Sequence, residues 1–189
     1  MKQLVFLFLF VVLILQSTSR IVMTKSEWVQ KLITLAKSSS KYSNNYPYNL
    51  LYYDGSKWYA DCSNLMKALF NGRDINDKTP NKYQRDLSNT GDVDVDGLFQ
   101  QCTDISANFG ALKSGEPRLL HMFGHMGAYL GTEVYTRYGT CNVVESTPAW
   151  DNGIQFSYVD SSGRRLRGKK GSQIRSWNQH GKPTKWVQY

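Results

Sequence analysis

Cys62 lies between Asp61 and Ser63, where the aromatic pair Trp58-Tyr59 gives way to apolar residues at Leu65, Met66, Ala68, Leu69 and Phe70. That spacing has the period of a helix, and it stops at Asn71-Gly72, a pair suited to a helix C-terminus. Cys62 is therefore expected in a first helical turn, where unpaired N–H groups and the positive end of the dipole stabilise a thiolate. A nucleophilic cysteine needs a base.

The chain has three histidines. His125 begins an alternating segment in which Met126, Ala128 and Leu130 interleave with Gly127 and Tyr129. His125 and Tyr129 should thus share one face of a strand. Glycines on both sides of His125-Met126 permit another element to approach closely. His121 lies four residues earlier, which in an extended chain would put it on the face of His125. His180 sits in a tail flanked by Gly181 and Pro183.

Val143-Val144-Glu145-Ser146 supplies a third group. If it pairs with the His125 strand, Glu145 can accept a hydrogen bond from the imidazole, fixing its tautomer and holding it toward Cys62. The plain alternative is an exposed carboxylate at a strand end. His121, His125 and Glu145 could in principle ligate zinc, but no HExxH or paired-cysteine spacing supports a metal. A serine hydrolase is disfavoured, since there is no G-x-S-x-G.

The elements that must position these groups run from helices to strands. Thr24-Lys25-Ser26-Glu27 is a capping box, followed by a helix to about Lys37 with Trp28, Leu32, Leu35, Val29, Ile33 and Ala36 on one side. Ser38 to Asn45 reads as loop, Tyr46 to Tyr53 is rich in aromatics, and Asp54-Gly55 marks a turn before the strand-like Trp58-Tyr59. Arg73 to Asp96 is polar. Gly97 to Ala107 is expected to be helical, with Leu98, Cys102 and Ile105 on one side. Cys141 to Ser146 and Ile154 to Val159 read as further strands. The fold class is α+β, with an antiparallel sheet carrying the histidine half of the site.

Residues 1–19 form a separate module: a positive start at Lys2, an apolar run from Leu4 to Leu15, then Ser17-Thr18-Ser19. The run is shorter than the roughly 20 residues that span a bilayer, so it reads as a cleaved secretory signal peptide, with an uncleaved anchor as the alternative. No cysteine follows it to suggest a lipoprotein. Residues 20–189 are the right size for a single domain. The net charge of +8 falls to +7 without Lys2, and much of it lies in Arg164-Arg165-Leu166-Arg167-Gly168-Lys169-Lys170. That run reads as a solvated loop, or as adhesion to an anionic surface; no nucleic-acid motif accompanies it. Of three cysteines, Cys102 and Cys141 could pair and leave Cys62 free, or all three could be thiols.

Asp61-Cys62-Ser63 and Gly124-His125-Met126-Gly127-Ala128-Tyr129-Leu130-Gly131 together resemble the D-C-S-G and H-V-G-I-Y-x-G signatures of NlpC-type cell-wall peptidases, the NlpC and p-sixty family. Leu112-Lys113-Ser114-Gly115-Glu116 resembles that family's L-x-P-G segment with its following acidic residue. Val143 to Trp150, with Gly153-Ile154-Gln155, resembles phage and clostridial members in which glutamate takes the third catalytic place. The resemblance spans about Trp28 to Val159. Asn64 stands where a glycine is usual, and Met126 and Ala128 where valine and isoleucine are commoner. No wall-binding repeat of the LysM or SH-three type is present.

The resemblance implies a papain-like fold and a secreted cysteine endopeptidase that cuts peptidoglycan stem peptides, commonly between γ-D-glutamate and the diamino acid. It implies Cys62 as nucleophile, His125 as base and later acid, and Glu145 as orienter, with the Cys62 N–H helping to bind the oxyanion. Asp61 and Ser63 match groove-lining positions. An upstream tyrosine contributes there in relatives; Tyr46 and Tyr48 are candidates and Tyr48 is preferred. The expected partner is peptidoglycan or its muropeptides, acted on by a monomer without cofactor. An N-acetylmuramoyl-L-alanine amidase, an acyl transferase and an inactive wall-binding module are the alternatives.

Overall fold

The computed structural model describes residues 20–38, 40–43, 51–80 and 87–189. The apolar N-terminal run, and Tyr46 and Tyr48 with it, lie outside the described residues. Among those residues no helix is long and apolar enough to cross a membrane.

Helix α1 (Lys25–Lys37) starts on the expected capping box: Thr24 accepts from the Glu27 N–H, and the Glu27 carboxylate accepts from the Thr24 N–H at 2.7 Å. Its buried side is Trp28, Leu32 and Leu35. Strands β2 (Tyr52–Tyr53) and β3 (Trp58–Tyr59) form a small hairpin around an Asp54 turn, and Lys41 bridges to Tyr59. Helix α2 (Cys62–Phe70) follows directly and ends at Asn71, with Gly72 at φ +81°.

The segment expected as one helix from Gly97 to Ala107 divides. Asp94 caps a short helix α3 (Val95–Phe99), and strand β4 (Thr103–Ser106) follows. Leu98 is buried, but Ile105 is 38% exposed. The helical spacing of Leu98, Cys102 and Ile105 is coincidental, because the helix is capped at Gln100 and Thr103–Ser106 pairs as a strand with Gln179–Lys182.

Strands β5 (Arg118–Met122), β6 (His125–Thr136), β7 (Gly139–Thr147), β8 (Gly153–Val159), β9 (Arg164–Leu166), β10 (Gln173–Ser176) and β11 (Gln179–Lys182) join β4 in an eight-stranded sheet. Its order is β10-β9-β8-β7-β6-β5-β11-β4, with antiparallel pairing throughout. Met23–Thr24 (β1) pairs with Val187–Gln188 (β12) in parallel, tying the two ends of the described chain together.

The sheet has two different faces. Leu119, Met126, Ala128, Leu130, Val144, Ile154 and Phe156 pack with the helices in the main core. There Phe70 stacks on Trp186 with ring centroids 4.5 Å apart. Leu120, Met122, Val143 and Val159 form a smaller cluster on the opposite face with Phe109 and Trp177. The molecule is an α+β domain, helices on one side of an antiparallel sheet.

Candidate active site

Cys62 occupies the first position of α2, as its spacing required. Asp61 is the cap, accepting from the Asn64 N–H at 2.7 Å and the Asn64 Nδ2 at 2.8 Å, with the Ser63 hydroxyl at 3.1 Å. Asn64 completes this cap. Ala60 is fixed as well, its carbonyl accepting from the Ser146 hydroxyl. The turn that carries Cys62 is thereby attached to β7.

His125 begins β6 after the two-residue turn Phe123-Gly124, in which Gly124 has φ +69°. Because Met122 pairs with His125 and His121 with Met126, the turn reverses the face count. His121 therefore lies on the helix side, not beside His125. Its Nε2 bonds to Asp96 at 2.7 Å and its ring stacks on Phe99. The structure does not bring His121 together with His125 and Glu145 as a ligand set.

Glu145 does meet His125. The His125 Nε2 lies 2.6 Å from Glu145 Oε2, and Glu145 is fully buried rather than an exposed strand-end group. A carboxylate only accepts, so Nε2 carries the hydrogen of this bond and Nδ1 is left outside it. Burial by itself would raise the Glu145 carboxyl. The bond from His125 and the Arg165 guanidinium outweigh it and hold the group at about 2.

Arg165 is the residue that sequence reasoning misplaced. The run from Arg164 to Lys170 was expected to be a solvated loop, but Arg165 is 4% exposed. Its Nε lies 3.0 Å and 2.9 Å from the two Glu145 oxygens, and its Nη2 lies 2.6 Å from Oε2 and 3.0 Å from the Thr147 hydroxyl. Arg165 pairs with Val159 across β8–β9, which sets it on the face of Ser157 and Glu145. Ser157 donates to Glu145 Oε1. Arg167 also turns inward, reaching Gln155 and Asp151. The turn Asp160-Ser161-Ser162-Gly163 was the available signal: read as a hairpin, it makes Arg164-Arg165-Leu166 a strand with alternate residues inward.

Trp177 closes this face. Its ring stacks on His125 at 5.4 Å and 19° and lies 5.6 Å from the Arg165 guanidinium, which Trp150 flanks at 5.0 Å. Gly127 gives it room, since a Cβ there would be 2.9 Å from the Trp177 ring and 3.2 Å from the Glu145 Cβ.

Cys62 comes from the helix layer and lies in the main core with Met126, whereas its neighbour His125 faces Trp177 on the opposite side of the sheet. The backbone N–H groups of Met126, the residue after His125, and of Ser63 act on the Cys62 sulfur. Among the described residues no direct hydrogen bond joins thiol and imidazole. Such bonds commonly lengthen in free enzymes and tighten with substrate. Burial pushes the Cys62 thiol up to about 11, the carboxylates of Asp61 and Glu145 adding to the rise. The expected helix-end stabilisation of a thiolate is overridden. A surface dipole is worth about 0.3–1 kcal/mol, and Asp61 already occupies the Asn64 N–H. All three cysteines are unpaired and buried, so Cys102 and Cys141 form no disulfide.

The arrangement provides a buried thiol, an imidazole with one nitrogen held and one free, and a carboxylate that keeps the imidazole oriented. These are the parts of nucleophilic acyl transfer. No protein-family profile, curated protein or solved structure matches the chain.

Proposed function

We propose that this protein is a cysteine peptidase of papain-like arrangement that hydrolyses peptidoglycan stem peptides, at the bond between γ-D-glutamate and the diamino acid. The observation that carries the reading is the His125–Glu145 bond of 2.6 Å at the start of a strand whose next residue, Met126, packs in the same core as Cys62. The order of the Asp61-Cys62-Ser63, Gly124 to Gly131 and Val143 to Trp150 motifs supports it, and on the same resemblance the chain is secreted after loss of residues 1–19.

The chemistry follows from the atoms. His125 Nδ1 takes the Cys62 thiol proton as the sulfur bonds to the scissile carbonyl carbon. The Cys62 N–H, at the first helical position and so without an intrahelical acceptor, faces the developing oxyanion. The imidazolium then gives its proton to the leaving amine as the C–N bond breaks, leaving a thioester. Water, deprotonated by His125, hydrolyses the thioester and restores the thiol. Asp61 and Ser63 line the groove beside the nucleophile.

The test is digestion of defined muropeptides by wild type and Cys62→Ala, with products weighed by mass spectrometry. Wild type should release stems cut after γ-D-glutamate, and Cys62→Ala should release none. Cleavage at the muramic acid–L-alanine bond would make the protein an amidase instead. Equal cleavage by Cys62→Ala would sink the cysteine mechanism. Wall binding without any product would leave a binding module.

A further inference from the structure

We infer that Arg165 is a positioning residue that neutralises and orients Glu145, so that the resting site holds an uncharged imidazole and a protonated Cys62 thiol rather than an imidazolium–thiolate pair. The inference rests on the reading of Cys62 as nucleophile and His125 as its base, but not on the identity of the substrate.

The charges facing each group carry the argument. Glu145 receives His125 from β6, Ser157 from β8 and Arg165 from β9. Thr147, on Glu145's own strand, accepts from Arg165. Arg165 and Glu145 are both buried, so their charges cancel inside the site. His125 is covered by Trp177, an uncharged ring. Cys62 is buried, and the charges of the Asp61 and Glu145 carboxylates both oppose a thiolate there.

A lone buried carboxylate beside His125 would draw a proton onto the imidazole. Here Arg165 supplies the counter-charge in place of the imidazolium. Forming a thiolate and an imidazolium would put two further charges into a region already balanced, and each desolvated ion costs several kcal/mol. It would also set the thiolate beside Asp61. Proton transfer from Cys62 Sγ to His125 Nδ1 is then coupled to attack on the substrate, when the new sulfur–carbon bond removes the negative charge from sulfur.

Alkylation tests this without any wall substrate. In a Cys102→Ala/Cys141→Ala background, Cys62 is the single thiol, and its iodoacetamide rate is followed from about pH 4 to about pH 10. The expected rate climbs across the range, with a midpoint above the ordinary thiol value of about 8.5. A plateau already reached near about pH 5, the mark of a resting ion pair, would overturn the inference.

Arg165→Met should then gain a reactive limb on the acid side. Arg165→Lys should restore the wild-type profile in part. An Arg165→Met profile identical to wild type would remove Arg165 from the role. Should Arg165→Met fail to fold, seen as loss of circular dichroism, the wild-type profile decides, an acid plateau there overturning the inference. Muropeptide cleavage could fail with the alkylation profile as expected, or succeed with an acid plateau, so the two readings stand or fall separately.

Discussion

The Trp177 indole lies against the His125 imidazole, ring centroids 5.4 Å apart and planes 19° from parallel. This contact packs the indole against the plane of the imidazole, and it exists because residue 127 has no Cβ. Gly127→Ala places a methyl 2.9 Å from the indole and 3.2 Å from the Glu145 Cβ, below ordinary contact. The expected result is a loss of about 1–3 kcal/mol, the range for overpacking, seen as a lower urea midpoint. Muropeptide turnover should fall by more than the small unfolded fraction explains, because the imidazole loses its stacking partner. Unchanged turnover would mean that Trp177 does not hold the base.

Asp61 combines two tasks that a single substitution separates. Its carboxylate caps α2 through Asn64, and on the proposed function it stands next to Cys62 as a candidate for holding the amino end of a stem peptide. Asparagine caps helices about as well as aspartate, so Asp61→Asn should change stability by less than about 0.5 kcal/mol. If the charge binds substrate, kcat/KM falls through a higher KM, with kcat little affected. If the residue is a cap alone, Asp61→Asn keeps its kinetics while Asp61→Ala loses about 0.5–2 kcal/mol. Steady-state kinetics with a free-amine muropeptide distinguishes these outcomes.

The legible parts of the molecule were those encoded over short range. The Thr24 capping box, the Cys62 helix with its Asn71-Gly72 stop and the alternation after His125 all appear where local spacing puts them. Glu145 beside His125 was also readable, since one strand pairing sufficed. What failed depended on a turn or on distant chain. His121 was misplaced because a two-residue turn, not continued extension, separates it from His125. Arg165 looked like one cation in a basic run, yet its environment is set by Glu145, twenty residues earlier, and by Trp177 from β10–β11. Cys62 shows the same limit: its helix position is local, but its burial against Met126 is tertiary, and burial governs the thiol.

Glu145 and Arg165 should behave as one unit. Glu145→Gln keeps shape and can still accept from His125, but it turns an amide toward the Arg165 guanidinium and leaves that charge buried without a counter-ion. Breaking a buried pair from one side costs about 3–5 kcal/mol. Glu145→Gln/Arg165→Met removes both charges and should be more stable than Glu145→Gln alone. Both variants should lose about 10²–10⁴-fold in turnover, by analogy with removal of the orienting carboxylate of other triads. A double-mutant cycle of unfolding free energies checks the coupling; additive losses would deny it.

The pH dependence of stability has a limb on each side. On the acid side, Glu145 is held at about 2 against an ordinary 4.5, so its contribution is complete above about pH 4.5 and disappears as pH falls toward 2. Burial also lowers His180 from 6.5, so the unfolded chain takes up that proton first and stability begins to decline below this value. On the alkaline side, Cys62 is raised from 9.0 to about 11 and buried Cys102 from 9.0 to about 12. Between pH 9 and 11 the unfolded chain has released both thiol protons and the folded chain has not, so stability falls as pH rises. Urea midpoints measured across pH should therefore form a plateau near neutrality with a decline at either end. Cys62→Ala/Cys102→Ala should lessen the alkaline decline, to which Tyr129, Tyr189 and buried Cys141 also contribute, and leave the acid one in place. An alkaline limb that persists unchanged in that double variant would show that the thiols are not its source.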